Sequence, residues 1–249
     1  MKRTAWTIVF TLSFLCFALA FAADSQGAEP KKPFDGISLK GWKAVDPNAK
    51  SCWMVGRAMT SRRDAAIMTA LPLEKKDKKF TEGALINLVE PNWGEEPRGS
   101  VDFYCEQKFG DCVIDLEFMV SKGSNSGIYV MGEYEVQVLD SWGREEMGPG
   151  DVGALYGAAP PKVNASLEPG QWQRIVIDFQ APKFDADGKK IQNAKFVKIT
   201  LNGKVVQEDV EMKEQTPGGI TGKEAPTGPL MFQGNHGPVA FRNIQVFEK

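Results

Sequence analysis

The sequence predicts an all-β fold, a β-sandwich or jelly roll, on three observations. Short runs rich in Val, Ile, Phe and Tyr, several alternating with polar residues, recur between turn signals from Pro33 onward. No stretch holds helical periodicity for more than about two turns. Asn202-Gly203 stands between Ile-Thr-Leu and Lys-Val-Val, a strong two-residue hairpin signal. Many strands without helical crossovers build sandwiches and jelly rolls.

Along the chain, Lys2 and Arg3 precede an apolar run over 5–22 that ends in small residues. Ala20-Phe21-Ala22 is an A-x-A cleavage pattern, so residues 1–23 read as a secretory signal peptide. The large residues before Cys16 do not suit lipidation, and no later apolar run is long enough to span a bilayer. Residues 24–32 are small, charged or proline and read as a flexible lead. Residues 33–249 contain neither linker composition nor an internal repeat, and one domain is expected there. Strands are expected over 52–60, 84–89, 100–106, 112–120, 127–131, 134–139, 172–179, 196–201, 204–210, 230–233 and 239–247. Asp187-Gly188 marks a second turn, and Asp185-x-Asp187 lacks the remaining ligands of a calcium loop. Segments 90–99, 141–151 and 153–167 are long, and such loops in a β-domain can form the rim of a groove.

Charge and cysteine content narrow the partners. The formal net charge is −2, and without Lys2 and Arg3 it is about −4, with no basic stripe to suit nucleic acid. A neutral polar partner such as a sugar fits better. Cys52, Cys105 and Cys112 follow the leader. Cys105 and Cys112 flank a turn-like segment and are either cross-strand disulfide partners in a hairpin or separate buried thiols. A lone histidine, His236, does not suit a Cys/His zinc site. No phosphate loop, dinucleotide fingerprint or nucleophile elbow is present.

The segment Asn125 to Asp140, NSGIYVMGEYEVQVLD, is the chief candidate for chemistry. Val136 and Val138 alternate with Glu135 and Gln137, so the valines face a core and the polar pair lines the opposite face. Asp140 joins that face only if a β-bulge shifts the phase. The bland alternative is a solvated face of an antiparallel sheet. Asp115 and Glu117 share one face of a neighbouring strand and can extend the groove or face solvent. His236, in Gln-Gly-Asn-His-Gly-Pro, has the pKa of a proton shuttle. Arg242 pairs with an acid, either of the groove or of the scaffold. Trp142, Trp93 and Tyr156 are candidate sugar platforms, whereas Trp42, Trp53 and Trp172 read as core.

The segment Pro33-Phe-Asp-Gly-Ile-Ser-Leu-Lys-Gly-Trp42 resembles the opening of the 3-keto-disaccharide hydrolase domain family. Further motifs match in order: Asn125-Ser-Gly-Ile-Tyr129, Tyr134 to Asp140, Gly153-Ala-Leu-Tyr-Gly157, Pro169-Gly-Gln-Trp172, Asn202-Gly203, and Gln233 to His236 followed by Phe241-Arg-Asn-Ile244. The resemblance covers residues 33 to 247. It implies a concanavalin A-like jelly roll and action on glycosides oxidised to a ketone at C3. The Glu135-x-Gln137-x-x-Asp140 pattern is also similar to the Glu-x-Asp-x-x-Glu signature of laminarinase-type glycosidases, with Gln137 in place of the middle acid.

A C3 ketone acidifies the C2 proton, so cleavage can proceed by proton abstraction, elimination and hydration. That route needs a base, an acid for the leaving oxygen and an enolate stabiliser. Glu135 or His236 is the expected base and Asp140 the acid. Asn125, Gln137, Trp142, Tyr156 and Gln233 are the expected substrate contacts. No cofactor is implied, although a divalent cation is an alternative enolate stabiliser. The expected substrate is an oligosaccharide or glycoside met outside the cell or in a periplasm. The competing readings are a non-catalytic carbohydrate-binding module and a structural domain of the cell envelope.

Overall fold

The computed structural model of the protein describes residues 29–73, 83–89 and 100–249. The expected leader, most of the lead, and the 90–99 loop with Trp93 lie outside the described residues. The strands, in chain order, are β1 (Trp42–Ala44), β2 (Trp53–Thr60), β3 (Met68–Leu71), β4 (Ala84–Asn87), β5 (Phe103–Phe109), β6 (Cys112–Val120), β7 (Asn125–Val130), β8 (Tyr134–Leu139), β9 (Gln173–Gln180), β10 (Lys183–Phe184), β11 (Lys190–Gln192), β12 (Ala194–Leu201), β13 (Lys204–Met212), β14 (Gly228–Phe232) and β15 (Val239–Glu248). All eleven expected strands are present, two of them with the expected bounds. The short β1, β3, β10 and β11 carry too few alternating residues to stand out in the sequence.

The strands form a jelly-roll sandwich with antiparallel pairing throughout the described residues. One sheet runs β1-β5-β14-β7-β8, the other β13-β12-β9-β6-β15-β4-β2-β3, and β10-β11 is a separate hairpin. Alternation decides which side of each strand meets the core. Ile128, Val136, Val138 and Phe232 of the smaller sheet and Leu116, Phe118, Ile175 and Phe241 of the larger are fully buried between the layers. The rings of Phe232 and Phe241 stack across the layers at 3.8 Å and 5°. Trp42 stacks on Phe232 at 5.2 Å and Trp53 on Phe103 at 5.5 Å. Both indoles are satisfied, donating to the Pro33 and Val101 carbonyls at 2.7 Å. Each buried ring contributes about 1.5–3 kcal/mol. Asn202 (φ 51°) and Gly203 (φ 81°) have the paired left-handed geometry of a type I′ turn, as their dipeptide predicts.

Several expectations change. β5 and β6 are consecutive in the chain yet belong to different sheets, so Cys105 and Cys112 are not cross-strand partners in a hairpin. Both are free, buried thiols, and burial raises them to about 11 and about 12. Asp115 and Glu117 lie on β6, whose Ile114, Leu116 and Phe118 face the core. Their carboxylates therefore point away from the smaller sheet and cannot extend a groove at Glu135. Asp115 takes both arms of Arg174 (2.9 and 2.6 Å), while Arg242 donates to Glu117 at 2.6 Å and covers the Trp172 ring at 4.0 Å. Arg242 is thus a scaffold ion pair. Trp172 is half-buried on the outer face of the larger sheet rather than in the main core. The lead is tied down at Lys31, which exchanges two backbone hydrogen bonds of 2.9 Å with Val246.

Candidate active site

The outer face of the smaller sheet forms a grid. Tyr104, Met231, Tyr129 and Glu135 are register partners across β5, β14, β7 and β8. Their chain neighbours Phe103, Phe232, Ile128 and Val136 point into the core, so this row points outward. The next outward row runs Asp102, Gln233, Gly127, Gln137. Gly127 pairs with Gln137, Gln233 N–H donates to the Gly127 carbonyl at 3.0 Å, and Val45 N–H to the Asp102 carbonyl at 2.9 Å. Gly127 leaves a dent in this surface, and the Glu135 carboxylate folds over it. A Cβ on Gly127 would lie 2.2 Å from Glu135 Oε1.

Three segments wall the dent. On one side Thr216 Oγ1 donates to the Glu133 carbonyl (2.9 Å) and accepts from Glu135 N–H (3.0 Å). Glu133 anchors the same segment through Thr221 N–H (2.8 Å), Thr221 Oγ1 (2.7 Å) and Gly222 N–H (3.1 Å). The second segment caps the edge of β8. Gln137 N–H donates to Ala154 (2.9 Å), Gly153 N–H to Gln137 (2.8 Å) and Tyr156 N–H to Glu135 (3.3 Å). The third carries Gln233 to Pro238. Fully buried Asn87 donates to the Gly234 and Gly237 carbonyls (2.7 and 3.2 Å) and accepts from Ser100 Oγ (2.8 Å). Gly234 N–H in turn donates to Asp102 Oδ1 at 2.8 Å. A cavity of about 430 Å³ lined by Lys32, Phe34, Asp35 and Asn243 opens away from this site. Its one carboxylate, Asp35, is occupied by Ile37 and Ser38 of its own turn.

Burial sets the electrostatics. Glu135 is only 4% exposed. Burial pushes its carboxyl from 4.5 up to about 7; a hydrogen bond from Tyr129 opposes the rise and the Asp102 charge adds to it. Tyr129 has one proton and two acceptors, the Glu135 carboxylate and the Pro217 carbonyl at 3.2 Å. Burial and Glu135 hold its phenol well above the ordinary tyrosine range. Asp102 is also raised by burial, against the Gly234 N–H and the His236 charge. Among the described residues no three His, Cys, Asp or Glu side chains are placed to hold a metal ion.

The expected site residues divide into two groups. Glu135, Gln137, Asn125 and Gln233 share the outward face, and Gln137 Nε2 donates to Asn125 Oδ1 at 2.8 Å. Gln233 Oε1 is buried without a hydrogen-bond partner among the described residues. His236 is exposed at the rim, with Nδ1 against Asn235 Oδ1, and Tyr156 is 43% exposed near Tyr129. Asp140 does not join them. The β7–β8 ladder runs without a register shift, so the inferred bulge is absent. The Asp140 carboxylate caps turns instead, accepting from Gly123 N–H (2.8 Å) and Trp142 N–H (3.3 Å). Trp142 is 55% exposed on the turn that follows and makes no ring contact among the described residues. Sequence reasoning missed Asp102 and Tyr129. Alternation offered a signal for both: Asp102 lies between the core residues Val101 and Phe103, and Tyr129 is in phase with Gly127 and Asn125.

A family model described as a 3-keto-alpha-glucoside-1,2-lyase-like domain matches residues 29–247. The fold is similar to three crystal structures of proteins from Parabacteroides distasonis ATCC 8503 that are named as candidate glycosyl hydrolases. The first is 26% identical, with a TM-score of 0.61 over 89% of this chain and 84% of the other. The second is 18% identical at TM-score 0.50, covering 88% and 98%. The third is 15% identical at TM-score 0.54, covering 89% and 94%. No curated protein matches the sequence.

Proposed function

Because this chain belongs to the 3-keto-alpha-glucoside-1,2-lyase-like domain family across residues 29–247, we propose that it cleaves glycosides whose C3 hydroxyl has been oxidised to a ketone. The ketone acidifies C2–H. Glu135 takes that proton, and the bonding pair passes into an enolate on the C3 oxygen. Collapse of the enolate forms a C1–C2 double bond and expels the glycosidic oxygen from C1. Water then adds across C1 and C2 and gives the free 3-keto sugar, so the sum of the two steps is hydrolysis.

The observation that carries this reading is Glu135 itself, a carboxyl buried over the dent at Gly127 and raised to about 7. Near neutral pH it is a stronger base than an ordinary carboxylate and is still substantially ionised. Tyr129, hydrogen-bonded to it, has a proton to donate to the enolate oxygen. Gln233 Oε1 is a buried acceptor without a partner among the described residues, suited to a ring hydroxyl. Asn125 and Gln137 orient one another beside it. Exposed Trp142 and Tyr156 offer aromatic faces to a sugar, and the leader pattern at residues 1–23 supports action outside the cytoplasm.

The test is incubation of the mature chain with oxidised and unoxidised disaccharides. Release of sugar from the 3-keto substrate alone is expected, undiminished by chelator because the scheme uses side chains only. Glu135→Gln should lose about 100-fold or more. The competing binding-module reading predicts retention of intact glycoside without turnover, with Glu135→Gln silent and Trp142→Ala and Tyr156→Ala damaging.

A further inference from the structure

Elimination of a sugar alkoxide needs a proton as the C1–O bond breaks, and Glu135 cannot supply it while it is receiving the C2 proton. We propose that Asp102 is the general acid for the leaving oxygen, acting across the dent from Glu135. This role rests on the elimination reading above.

The grid fixes the arrangement. Glu135 folds over Gly127 on β7, while Asp102 is two strands away, beyond Gln233 in the same outward row. Two strand spacings are about 10 Å between Cα atoms, with Gln233 between them to meet a ring flanked by the two carboxyls. Glu135, 4% exposed, is at the closed end, while Asp102 is half-buried beside exposed His236 at the open end. The keto ring therefore meets the base, and a leaving group of any size projects past the acid. Gly234 N–H occupies Asp102 Oδ1, and Oδ2 has no hydrogen bond among the described residues. Burial raises Asp102, which favours the protonated form an acid requires.

The step balances. Asp102 gives its proton to the glycosidic oxygen as Glu135 receives the proton from C2. The products are the 1,2-unsaturated 3-keto sugar and a free hydroxyl compound. In hydration, ionised Asp102 takes a proton from the water attacking C1, and protonated Glu135 returns its proton to C2. Both groups end as they began. Base and acid on opposite sides of the ring suit a C2 hydrogen and a C1 oxygen that leave in opposite directions.

The test is Asp102→Asn, which keeps an oxygen to accept Gly234 N–H and so keeps the loop in place. Wild type and variant are compared on a 3-keto-α-glucoside with a sugar leaving group and on its nitrophenyl counterpart, which departs without a proton. Asp102→Asn should lose about 100-fold or more on the sugar leaving group and less than about tenfold on nitrophenyl, with an unchanged melting temperature. Equal losses on both, or no loss, overturn the role while leaving the elimination reading intact. The leaving-group-dependent loss appearing in His236→Gln instead also overturns it. A wild type inert on both substrates refutes the elimination reading, and this role with it.

Discussion

Gly127→Ala places a methyl group where the Glu135 carboxylate now lies. The added Cβ would be 2.2 Å from Oε1 and 3.0 Å from both Cδ and Cγ. Ordinary contact begins near 3.4 Å, so the carboxylate must retreat by about 1 Å. A base displaced by that much from its proton costs about 100-fold in rate, near 2.7 kcal/mol of barrier. The backbone should not suffer, because Gly127 is not at a positive φ and alanine is at least as stable as glycine in a strand. The assay is kcat/KM on a 3-keto-α-glucoside, beside a thermal melt. The expected result is the rate loss with a melting temperature equal to or above that of the wild type. In a Glu135→Gln background the same substitution should add little, because both changes act through one group. A Gly127→Ala enzyme within about threefold of wild type would refute the claim that the carboxylate over Gly127 performs the chemistry.

Two further outcomes concern stability. A carboxyl raised from 4.5 to about 7 favours the fold fully below its unfolded value, and that stability is lost as pH rises through about 7. Glu135→Gln should therefore raise stability at pH 8 by up to about 3 kcal/mol and change it little at pH 4, read from melts at the two pH values. A gain independent of pH would contradict the buried charge. Asn87→Ala removes two hydrogen bonds that fix the Gly234–Gly237 turn and a third from Ser100, and should cost about 2–4 kcal/mol in denaturant unfolding. A cost below about 0.5 kcal/mol would show that the turn holds without it.

The parts of the site visible in the sequence are those contained within one strand. Val136 and Val138 against Glu135 and Gln137 follow a period of two, which sheet geometry must obey. The Asn202-Gly203 turn was equally plain, since its backbone geometry is nearly dictated by the two residue types. What stayed hidden depends on which strands are neighbours. Asp102 joins Glu135 only because β14 and β7 come between their strands, and β14 lies more than 120 residues beyond Asp102. The same blindness made Asp115 and Glu117 look adjacent to the groove, because β6 directly precedes β7 in the chain although the two belong to different sheets. Asp140 was misplaced for a local reason. Its carboxylate is spent on two backbone amides, and short-range capping leaves no periodic mark.

The account stands on Glu135 removing the C2 proton of a 3-keto glycoside. The direct measurement is deuterium entry at C2 of methyl 3-keto-α-glucoside in heavy water, followed by NMR for the wild type and for Glu135→Gln. The account predicts enzyme-dependent deuterium incorporation by the wild type, slowed about 100-fold or more in the variant. Incorporation at the wild-type rate without the Glu135 carboxylate would contradict it.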